Sequence, residues 1–145
     1  MTVKIQKLHP KAKIPTRGSE YAAGYDLYAC MDGDAVVIEP HETRRIGTGL
    51  AVAVPDGYFG AIFARSGLAT KQGLRPANCV GVADSDYRGE YMVPLHNDSS
   101  EPRTIHCGDR IAQLVVLPFL PVVFEETEQL DETARGSGGF GSTGQ

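Results

Sequence analysis

The end of the chain combines backbone amides without side chains, hydroxyl groups, one aromatic ring and one cation. It reads Arg135-Gly136-Ser137-Gly138-Gly139-Phe140-Gly141-Ser142-Thr143-Gly144. Glycines let backbone N–H groups approach phosphate oxygens closely, and an arginine neutralises phosphate charge bidentately. A phenylalanine offers a face on which a base can stack. The segment therefore suits a phosphorylated base, and a flexible terminus without function is the alternative interpretation.

A second group of residues suited to anions lies where a predicted strand runs into a predicted helix. The segment reads Ala64-Arg65-Ser66-Gly67-Leu68-Ala69. An arginine beside the exposed N–H groups of a helix start can hold a phosphate. Strand-to-helix junctions with an arginine are also common without such a site, so this segment alone leaves both interpretations open.

A third segment is a turn dense in carboxylates. It reads Gly81-Val82-Ala83-Asp84-Ser85-Asp86-Tyr87-Arg88-Gly89. A carboxylate among phosphates can serve as a general base for water or as an indirect metal ligand. The alternative is a solvated hairpin turn, in which aspartates are chosen for their bonds to the backbone.

Glycines and prolines indicate which elements must position these groups. Seventeen glycines and nine prolines divide the chain into short segments, which favours strands. Many short strands at near-regular spacing are typical of a β-sandwich or a β-barrel. The predicted strands are residues 3–8, 35–38, 50–54, 58–63, 91–95 and 110–117, with a last strand-like stretch at 122–124.

One segment, residues 66–73, is predicted to be a short helix, with Ser66 as its N-cap and Gly73 as its end. The tail from residue 135 onward has too little apolar area to offset a backbone entropy of roughly 1–2 kcal/mol per residue. We therefore expect one all-β domain over residues 1–134 and a mobile glycine-rich segment over residues 135–145.

The overall composition limits the class of protein. A length of 145 residues fits one domain, and 41% hydrophobic with 22% charged residues is typical of a soluble globular protein. The formal net charge of -4 argues against a nucleic-acid-binding surface. Neither a membrane-crossing apolar run nor a secretion signal is found in the sequence, which predicts a cytoplasmic protein. The three cysteines have no metal-ligand spacing and are predicted to be buried, reduced thiols.

Together these segments resemble the five motifs of the trimeric dUTP pyrophosphatase (dUTPase) family, in the family's order and over nearly the whole chain. Each motif alone is a moderate signal, whereas five in order leave little room for coincidence. The matching segments are Ala23-Gly24-Tyr25-Asp26-Leu27-Tyr28, then Arg65-Ser66-Gly67-Leu68-Ala69, then residues 81–89, then Gly108-Asp109-Arg110-Ile111-Ala112-Gln113-Leu114, and finally residues 135–144.

The resemblance implies a distorted jelly-roll β-barrel with one short helix and a flexible C-terminal arm. It also implies a homotrimer with shared active sites at the subunit interfaces. The activity it implies is Mg²⁺-dependent hydrolysis of dUTP to dUMP and pyrophosphate. That reaction limits uracil incorporation into DNA and supplies dUMP for thymidylate synthesis.

Roles for individual residues also follow from the resemblance. Asp84 would activate water for attack on the α-phosphorus, and Asp26 would hold waters on a magnesium ion chelated by the three phosphates. Tyr87 would lie against the deoxyribose and exclude a 2′-hydroxyl, and the C-terminal segment would close as a lid. The remaining implied substrate-binding residues are Arg65, Ser66, Gly67 and Gln113 at the phosphates, Asn78, Gly81, Val82 and Met92 in and beyond the hairpin that reads uracil, and Arg135, Phe140, Gly141, Ser142 and Thr143 in the lid, where Phe140 stacks on the base.

One residue departs from the family pattern. Ala83 precedes the implied base, where the family usually carries a branched aliphatic residue. We expect near-normal activity with a larger neighbour filling the space, and Cys79 is the sequence-based candidate for that neighbour.

Two other functions remain open from the sequence. A dCTP deaminase is similar in fold, although the turn here reads as in the hydrolase and lacks the glutamate that deamination would need. A nucleotide-responsive regulatory binding module is the second alternative, although such members usually carry an inserted segment for which the compact motif spacing leaves little room.

Overall fold

The computed structural model describes residues 1–139 of the chain. Within this range the protein has twelve β-strands and one α-helix, which confirms the all-β class with one short helix. The elements are β1 (Lys4–Lys7), β2 (Thr16–Arg17), β3 (Tyr25–Tyr28), β4 (Ala35–Ile38), β5 (Thr43–Gly47), β6 (Leu50–Ala53), β7 (Tyr58–Phe63), α1 (Ser66–Gln72), β8 (Leu74–Pro76), β9 (Gly81–Ala83), β10 (Met92–Asn97), β11 (Arg103–His106) and β12 (Arg110–Pro118).

The strands form four antiparallel sheets. The largest has the order β2-β3-β12-β7-β9, with the long strand β12 at its centre. A three-stranded sheet has the order β5-β10-β8, and β1 with β6 and β11 with β4 form two-stranded sheets. Because β12 pairs with both β3 and β7, the first, second, third and fourth motifs lie on or directly after strands of the same sheet.

The hydrophobic core draws side chains from all four sheets. Strand β10 illustrates how a strand contributes to the core. Its residues alternate between buried and more exposed positions, with the period of two that strand geometry imposes. Asn97 is a buried polar member of this strand. Its side-chain amide donates to the carbonyl oxygens of Ile38, at 3.0 Å, and Glu101, at 2.8 Å, so burial of the amide is compensated.

Helix α1 starts at Ser66, so the prediction of Ser66 as its N-cap is wrong by one residue. Arg65 occupies the N-cap position with an extended backbone and makes no side-chain capping bond. A guanidinium has no acceptor for the N–H groups of a helix start, and that of Arg65 instead donates to Asp26, with Nε 2.8 Å from Oδ1. Gly73 ends the helix as predicted, with a positive φ of 69° that glycine adopts without strain.

The strand predicted at residues 122–124 is wrong, because this stretch has no strand assignment and no partner strand within the described part of the chain. An extended apolar segment becomes a strand only when its backbone groups are paired. Val123 and Phe124 are instead 96% and 94% exposed. Short strands without clear alternation, such as β2, β5, β8 and β9, were not predicted from the sequence.

The three thiols are free, as predicted, but they are not all buried. Cys30 is buried and Cys107 is half-buried, whereas Cys79 is exposed in a turn with φ of 62°. Within residues 1–139, no helix has the length and apolar character needed to cross a membrane.

Candidate functional site

Six of the residues predicted to bind substrate line one cleft of about 280 Å³, which we call the hairpin pocket. The structure therefore brings the predicted nucleoside-binding residues together with Asp84, the predicted general base. The six are Asn78, Gly81, Val82, Asp84, Tyr87 and Met92, and the remaining lining residues are Arg45, Ile62, Ala83, Glu90 and Tyr91.

Strand β9 forms one wall of the hairpin pocket. It pairs with β7 and lies at the edge of its sheet, so its second row of backbone N–H and C=O groups is unpaired within that sheet. An unpaired strand edge can hydrogen-bond a planar ligand with alternating donors and acceptors, as it can another strand. A tight turn before β9, closed by the bond from Val80 N to Asn78 O at 2.6 Å, places Asn78 beside Gly81.

Asp84 follows β9 directly and is exposed at the rim of the pocket. Its backbone carbonyl accepts from Tyr87 N at 3.1 Å, which closes the turn. Arg88 donates to the carbonyl oxygens of Ser85 and Tyr87, at 2.6 and 2.9 Å, and so stabilises the turn without pairing with Asp84. Over the described residues the Asp84 carboxylate has neither an ion pair nor a side-chain hydrogen bond, which leaves it available to a water molecule.

The two tyrosines of the pocket contact each other. Their ring centroids are 6.1 Å apart, and the rings are tilted by 33°. Tyr87 is half exposed and donates its hydroxyl to Glu90 O at 3.1 Å. Tyr91 is buried, and burial raises the pKa of its hydroxyl to about 12, with a smaller contribution from Tyr87. The hydroxyl of Tyr91 has no hydrogen-bond partner among residues 1–139.

Cys79 does not fill the space beside Ala83, so that sequence-based expectation is wrong. The thiol is exposed in the turn before β9, whereas Ala83 is buried on the inner side of the strand. Tyr91 is the larger neighbour instead. A Cβ placed on Gly60 would lie 3.2 Å from the Tyr91 hydroxyl and 3.5 Å from the Ala83 Cβ. The Tyr91 hydroxyl and the Ala83 side chain therefore lie next to the same point beside Gly60.

The predicted phosphate-side residues lie elsewhere, around Asp26 on β3. We call Asp26, Arg65 and Arg110 the Asp26 cluster. Arg65 Nε lies 2.8 Å from one carboxylate oxygen of Asp26, and Arg110 Nη1 lies 3.3 Å from the other. Two guanidinium groups thus hold one carboxylate in place. Arg110 was not assigned a role from the sequence, because its motif gives no sign that it shares a partner with Arg65.

Gln113 joins the Asp26 cluster through the register of the sheet, since it lies opposite Asp26 on one side and Phe63 on the other. Its side-chain amide donates to Ala64 O at 2.9 Å. A Cβ at Gly24 would collide with this amide, so the glycine of the first motif makes room for the glutamine of the fourth. Ser66 and Gly67 start helix α1 next to Arg65, and both are exposed.

The described part of the chain offers little to a metal ion on its own. The described residues contain no group of three or more His, Cys, Asp or Glu side chains that could hold one. Both oxygens of Asp26 are already bonded to guanidinium groups. Asp26 therefore fits an indirect role, in which the other ligands of a magnesium ion come from a bound polyphosphate and from water.

The hairpin pocket and the Asp26 cluster are far apart within one chain. Asp26 on β3 is three strands away from β9 in the order of the sheet. Through Gln113, Asp26 is level with Phe63 of β7, whereas Ala83 of β9 pairs with Gly60 of β7. Asp84 follows Ala83, so it is displaced from the level of Asp26 by about three to four residues along the strands. Strand spacing of about 4.8 Å and a rise of about 3.3 Å per residue put the two aspartates roughly 20 Å apart along the sheet. Along this surface, then, the two groups do not form one continuous cleft.

The predicted lid is described only in part. Arg135 is exposed, and its Nε donates to Gly138 O at 2.8 Å within the same segment. It therefore contacts neither the hairpin pocket nor the Asp26 cluster through a hydrogen bond. Phe140, Gly141, Ser142 and Thr143 lie outside the described residues.

Comparison with known proteins gives a consistent result. A family model described as dUTPase matches residues 10–144. A protein of Syntrophotalea carbinolica is 47% identical over 144 residues, covering 99% of this chain and 97% of that protein. One of Desulfitobacterium hafniense is 53% identical over 133 residues, covering 91% and 87%. Both are named deoxyuridine 5'-triphosphate nucleotidohydrolase.

Solved structures agree in fold. A mutant dUTPase of Staphylococcus bacteriophage 80alpha, with dUpNHpp, superposes with a TM-score of 0.89 at 28% identity, covering 99% of both chains. A mutant dUTPase from phage phi11 of S. aureus, described as revealing the coordination of a structural Mg(II) ion, gives 0.79 at 27% identity, covering 89% of this chain and 98% of that one.

Proposed function

The chain belongs to the dUTPase family and is a dUTP diphosphatase, and we propose that Asp84 is the general base of this hydrolysis. The observation that carries the proposal is the uncommitted carboxylate of Asp84 at the rim of a pocket sized for a nucleoside. A water molecule bound to Asp84 transfers a proton to the carboxylate as its oxygen bonds to the α-phosphorus. The bond from the α-phosphorus to the bridging oxygen breaks, and pyrophosphate leaves with that electron pair.

Selection of the base rests on the wall formed by β9. In this proposal the free backbone edge of β9 and the side chain of Asn78 hydrogen-bond the edge of uracil, and their position at the pocket supports it. Val82 and Met92 line the pocket and supply apolar surface. Tyr87 lies against the deoxyribose, where its ring leaves no room for a 2′-hydroxyl. A pocket whose polar groups a wrong base would leave unpaired rejects that base more strongly than shape alone would.

The phosphate chain is bound by the Asp26 side of the sheet. Arg65, Ser66, Gly67 and Gln113 supply a guanidinium, a hydroxyl, backbone N–H groups at a helix start and a side-chain amide. Each group is exposed or half-buried. Arg135 and the lid residues beyond it complete the phosphate contacts when the segment closes, and Phe140 stacks on the base.

Magnesium accompanies the triphosphate. The ion would be held by phosphate oxygens and by waters that hydrogen-bond Asp26, and it would supply neutralisation of the charge on the departing pyrophosphate. When the phosphates arrive, Arg65 turns from Asp26 to the phosphate chain. Arg110 remains beside Asp26 and holds the carboxylate in place.

The active site is shared between subunits of a homotrimer. A water-mediated magnesium bridge from Asp26 to a phosphate spans only about 5 Å, which is much less than the roughly 20 Å separation of Asp26 and Asp84 along the sheet. One nucleotide therefore takes its nucleoside pocket and its phosphate site from different copies. The exposed apolar stretch at residues 119–124 also supports association, because such a stretch is normally covered in an assembly.

In metabolism, this activity limits uracil incorporation into DNA and supplies dUMP for thymidylate synthesis. The cytoplasmic location expected from the sequence fits that role.

A second function, as a nucleotide-responsive regulatory protein, has one observation in its favour. Phage dUTPases of 26–28% identity to this chain are described as controlling transfer of virulence genes by a G protein-like mechanism. A partner protein that binds this chain differently with and without a dUTP analogue would support the role. Equal binding in both states would exclude it.

Deamination of dCTP is the enzyme alternative. Glu90 lines the hairpin pocket, but its carboxylate accepts from Gly49 N at 2.7 Å and is committed to the fold. The test measures pyrophosphate from dUTP, dTTP, UTP and dCTP, and ammonia from dCTP, with wild type and Asp84→Asn. Hydrolysis confined to dUTP and reduced about 10³-fold in the variant is expected. Ammonia release from dCTP, or a fully active variant, would contradict the proposed function.

A further inference from the structure

Among residues 1–139, Tyr91 has the largest fully buried side chain, and the proposed mechanism gives it no role. Its backbone is fixed on both sides. Its N–H donates to Leu50 O at 2.8 Å, and its carbonyl accepts from the backbone and the hydroxyl of Thr48, at 3.2 and 2.7 Å. Tyr91 is therefore a rigid point at the end of the loop that carries Asp84 and Tyr87.

The ring of Tyr91 supports the ring of Tyr87. The centroids are 6.1 Å apart, a separation at which aromatic pairs attract each other. A Cβ at Gly89 would collide with the Tyr87 ring, so the loop keeps a glycine where the ring passes over it. With its hydroxyl bonded to Glu90 O, Tyr87 is held between its own loop and Tyr91.

The hydroxyl end of Tyr91 fills the space that Ala83 leaves. It lies beside Gly60 and Ala83, the latter being only 6% exposed. Tyr91 itself is 2% exposed, and its hydroxyl finds no partner in the described chain. Burial of an unpaired hydroxyl is unfavourable, so hydrogen bonding does not account for a tyrosine here. The ring accounts for it instead, through the volume that it fills and its contact with the Tyr87 ring.

We propose that Tyr91 and Ala83 form a matched large and small pair in which Tyr91 is a positioning residue for Tyr87. Through Tyr87 the pair sets the discrimination between deoxyribose and ribose. The inference rests on the proposed function, in which Tyr87 lies against the deoxyribose. It gives Ala83 a reason that the sequence alone did not supply, since a larger side chain there would displace the Tyr91 hydroxyl.

The test measures kcat/KM for dUTP and for UTP in wild type and four variants, and the ratio of the two values is the dUTP preference. The variants are Tyr91→Phe, Tyr91→Val, Ala83→Val and the double variant that combines Tyr91→Val with Ala83→Val. Tyr91→Phe keeps the ring and is expected to keep the dUTP preference within about twofold. Tyr91→Val and Ala83→Val each lower that preference by about tenfold, because Tyr87 loses its support or is pushed aside. The double variant exchanges volume between the two positions and restores the preference to within about threefold of wild type.

A purely structural role would not give this pattern. Ile105→Ala, buried in the sheet of β4 and β11, is the matched control and is expected to lower Tm without changing the dUTP preference. Where Tyr91→Val does not fold, Tyr91→Leu takes its place. An unchanged preference in Tyr91→Val, or in Tyr91→Leu where that variant replaces it, overturns the proposal, and so does a double variant no better than the single ones. A wild type that does not hydrolyse dUTP would instead overturn the proposed function.

Discussion

The hairpin pocket and the Asp26 cluster differ in how their groups are held before substrate arrives. In the pocket, the recognition groups are the unpaired edge of β9 and an Asp84 carboxylate with no partner in the described chain. In the cluster, both carboxylate oxygens of Asp26 are already paired, one with Arg65 and the other with Arg110. Hydrogen bonds to a ligand are therefore additional bonds in the pocket, whereas in the cluster they replace bonds that the protein already makes with itself. In the proposed function, shape and backbone geometry select the nucleoside, and redistributed charge binds the phosphates.

The largest effect that distinguishes the two regions is expected from Arg65→Gln. This change removes a guanidinium from the proposed phosphate site, so kcat/KM for dUTP should fall about 10²- to 10³-fold. Steady-state kinetics at two salt concentrations measure it. Arg44→Gln, which removes an exposed pair with Glu42, is the matched control and should stay within about twofold. More than half of wild-type activity in Arg65→Gln would remove the cluster from the site.

Asp26→Asn tests whether the carboxylate acts on magnesium. The variant keeps the shape of the side chain but holds magnesium-bound water more weakly, so the Mg²⁺ concentration for half-maximal activity should rise about tenfold. A magnesium titration of activity, paired with calorimetry of Mg²⁺ and dUpNHpp binding, checks it. Asp56→Asn, in an exposed turn, serves as the control. An unchanged magnesium requirement would mean that Asp26 only positions arginines.

Ala83→Ile tests the packing behind the hairpin pocket. The added atoms meet Tyr91 and Gly60, so we expect the free energy of unfolding to fall by about 1–3 kcal/mol and turnover not to rise. Urea unfolding monitored by circular dichroism measures the first and initial rates the second. Val82→Ile, exposed on the same strand, should leave stability unchanged. A large rise in turnover would mean that the small residue at 83 is a defect.

The smallest effect is expected at an exposed pair outside both regions. The hydrogen bond from Arg75 lowers the pKa of Asp98 below its ordinary value of 3.8. A lowered pKa means that the pair adds stability above the ordinary value and loses it as pH falls through the pKa of the folded state. Asp98→Asn should therefore lower Tm by at most about 2 °C at pH 7. The difference from wild type should vanish on acidification, and a difference that grew instead would reverse the sign.

Local patterns in the sequence were sufficient for part of the fold. The strands at residues 35–38 and 58–63 were predicted with the bounds that β4 and β7 have, and Gly73 was identified as the helix end. Apolar runs and left-handed glycines are local signals, so no tertiary information is needed. Residues 122–124 were wrongly predicted as a strand, because pairing depends on a partner that the pattern does not contain.

The candidate site was predictable in its residue types but not in its arrangement. The residue types in the turn around Asp84 indicate a general base or an indirect metal ligand, and the arginine at the helix start indicates a phosphate site. The resemblance to the family gives these residues individual roles. The sharing of Asp26 between Arg65 and Arg110 depends on the register of β3 and β12, which the sequence does not state. Likewise, the packing of Tyr91 against Ala83 depends on the pairing of β9 with Gly60 of β7.

The central claim is that the two regions of one chain serve different active sites of a homotrimer. Asp84→Asn and Arg65→Gln, each nearly inactive alone, are mixed by joint unfolding and refolding, and dUTP hydrolysis is then measured. Random mixing gives about a quarter of the sites an intact Asp84 from one subunit and an intact Arg65 from another. Recovery of activity toward that fraction is the predicted result. Mixed trimers that stay as inactive as either variant would contradict it.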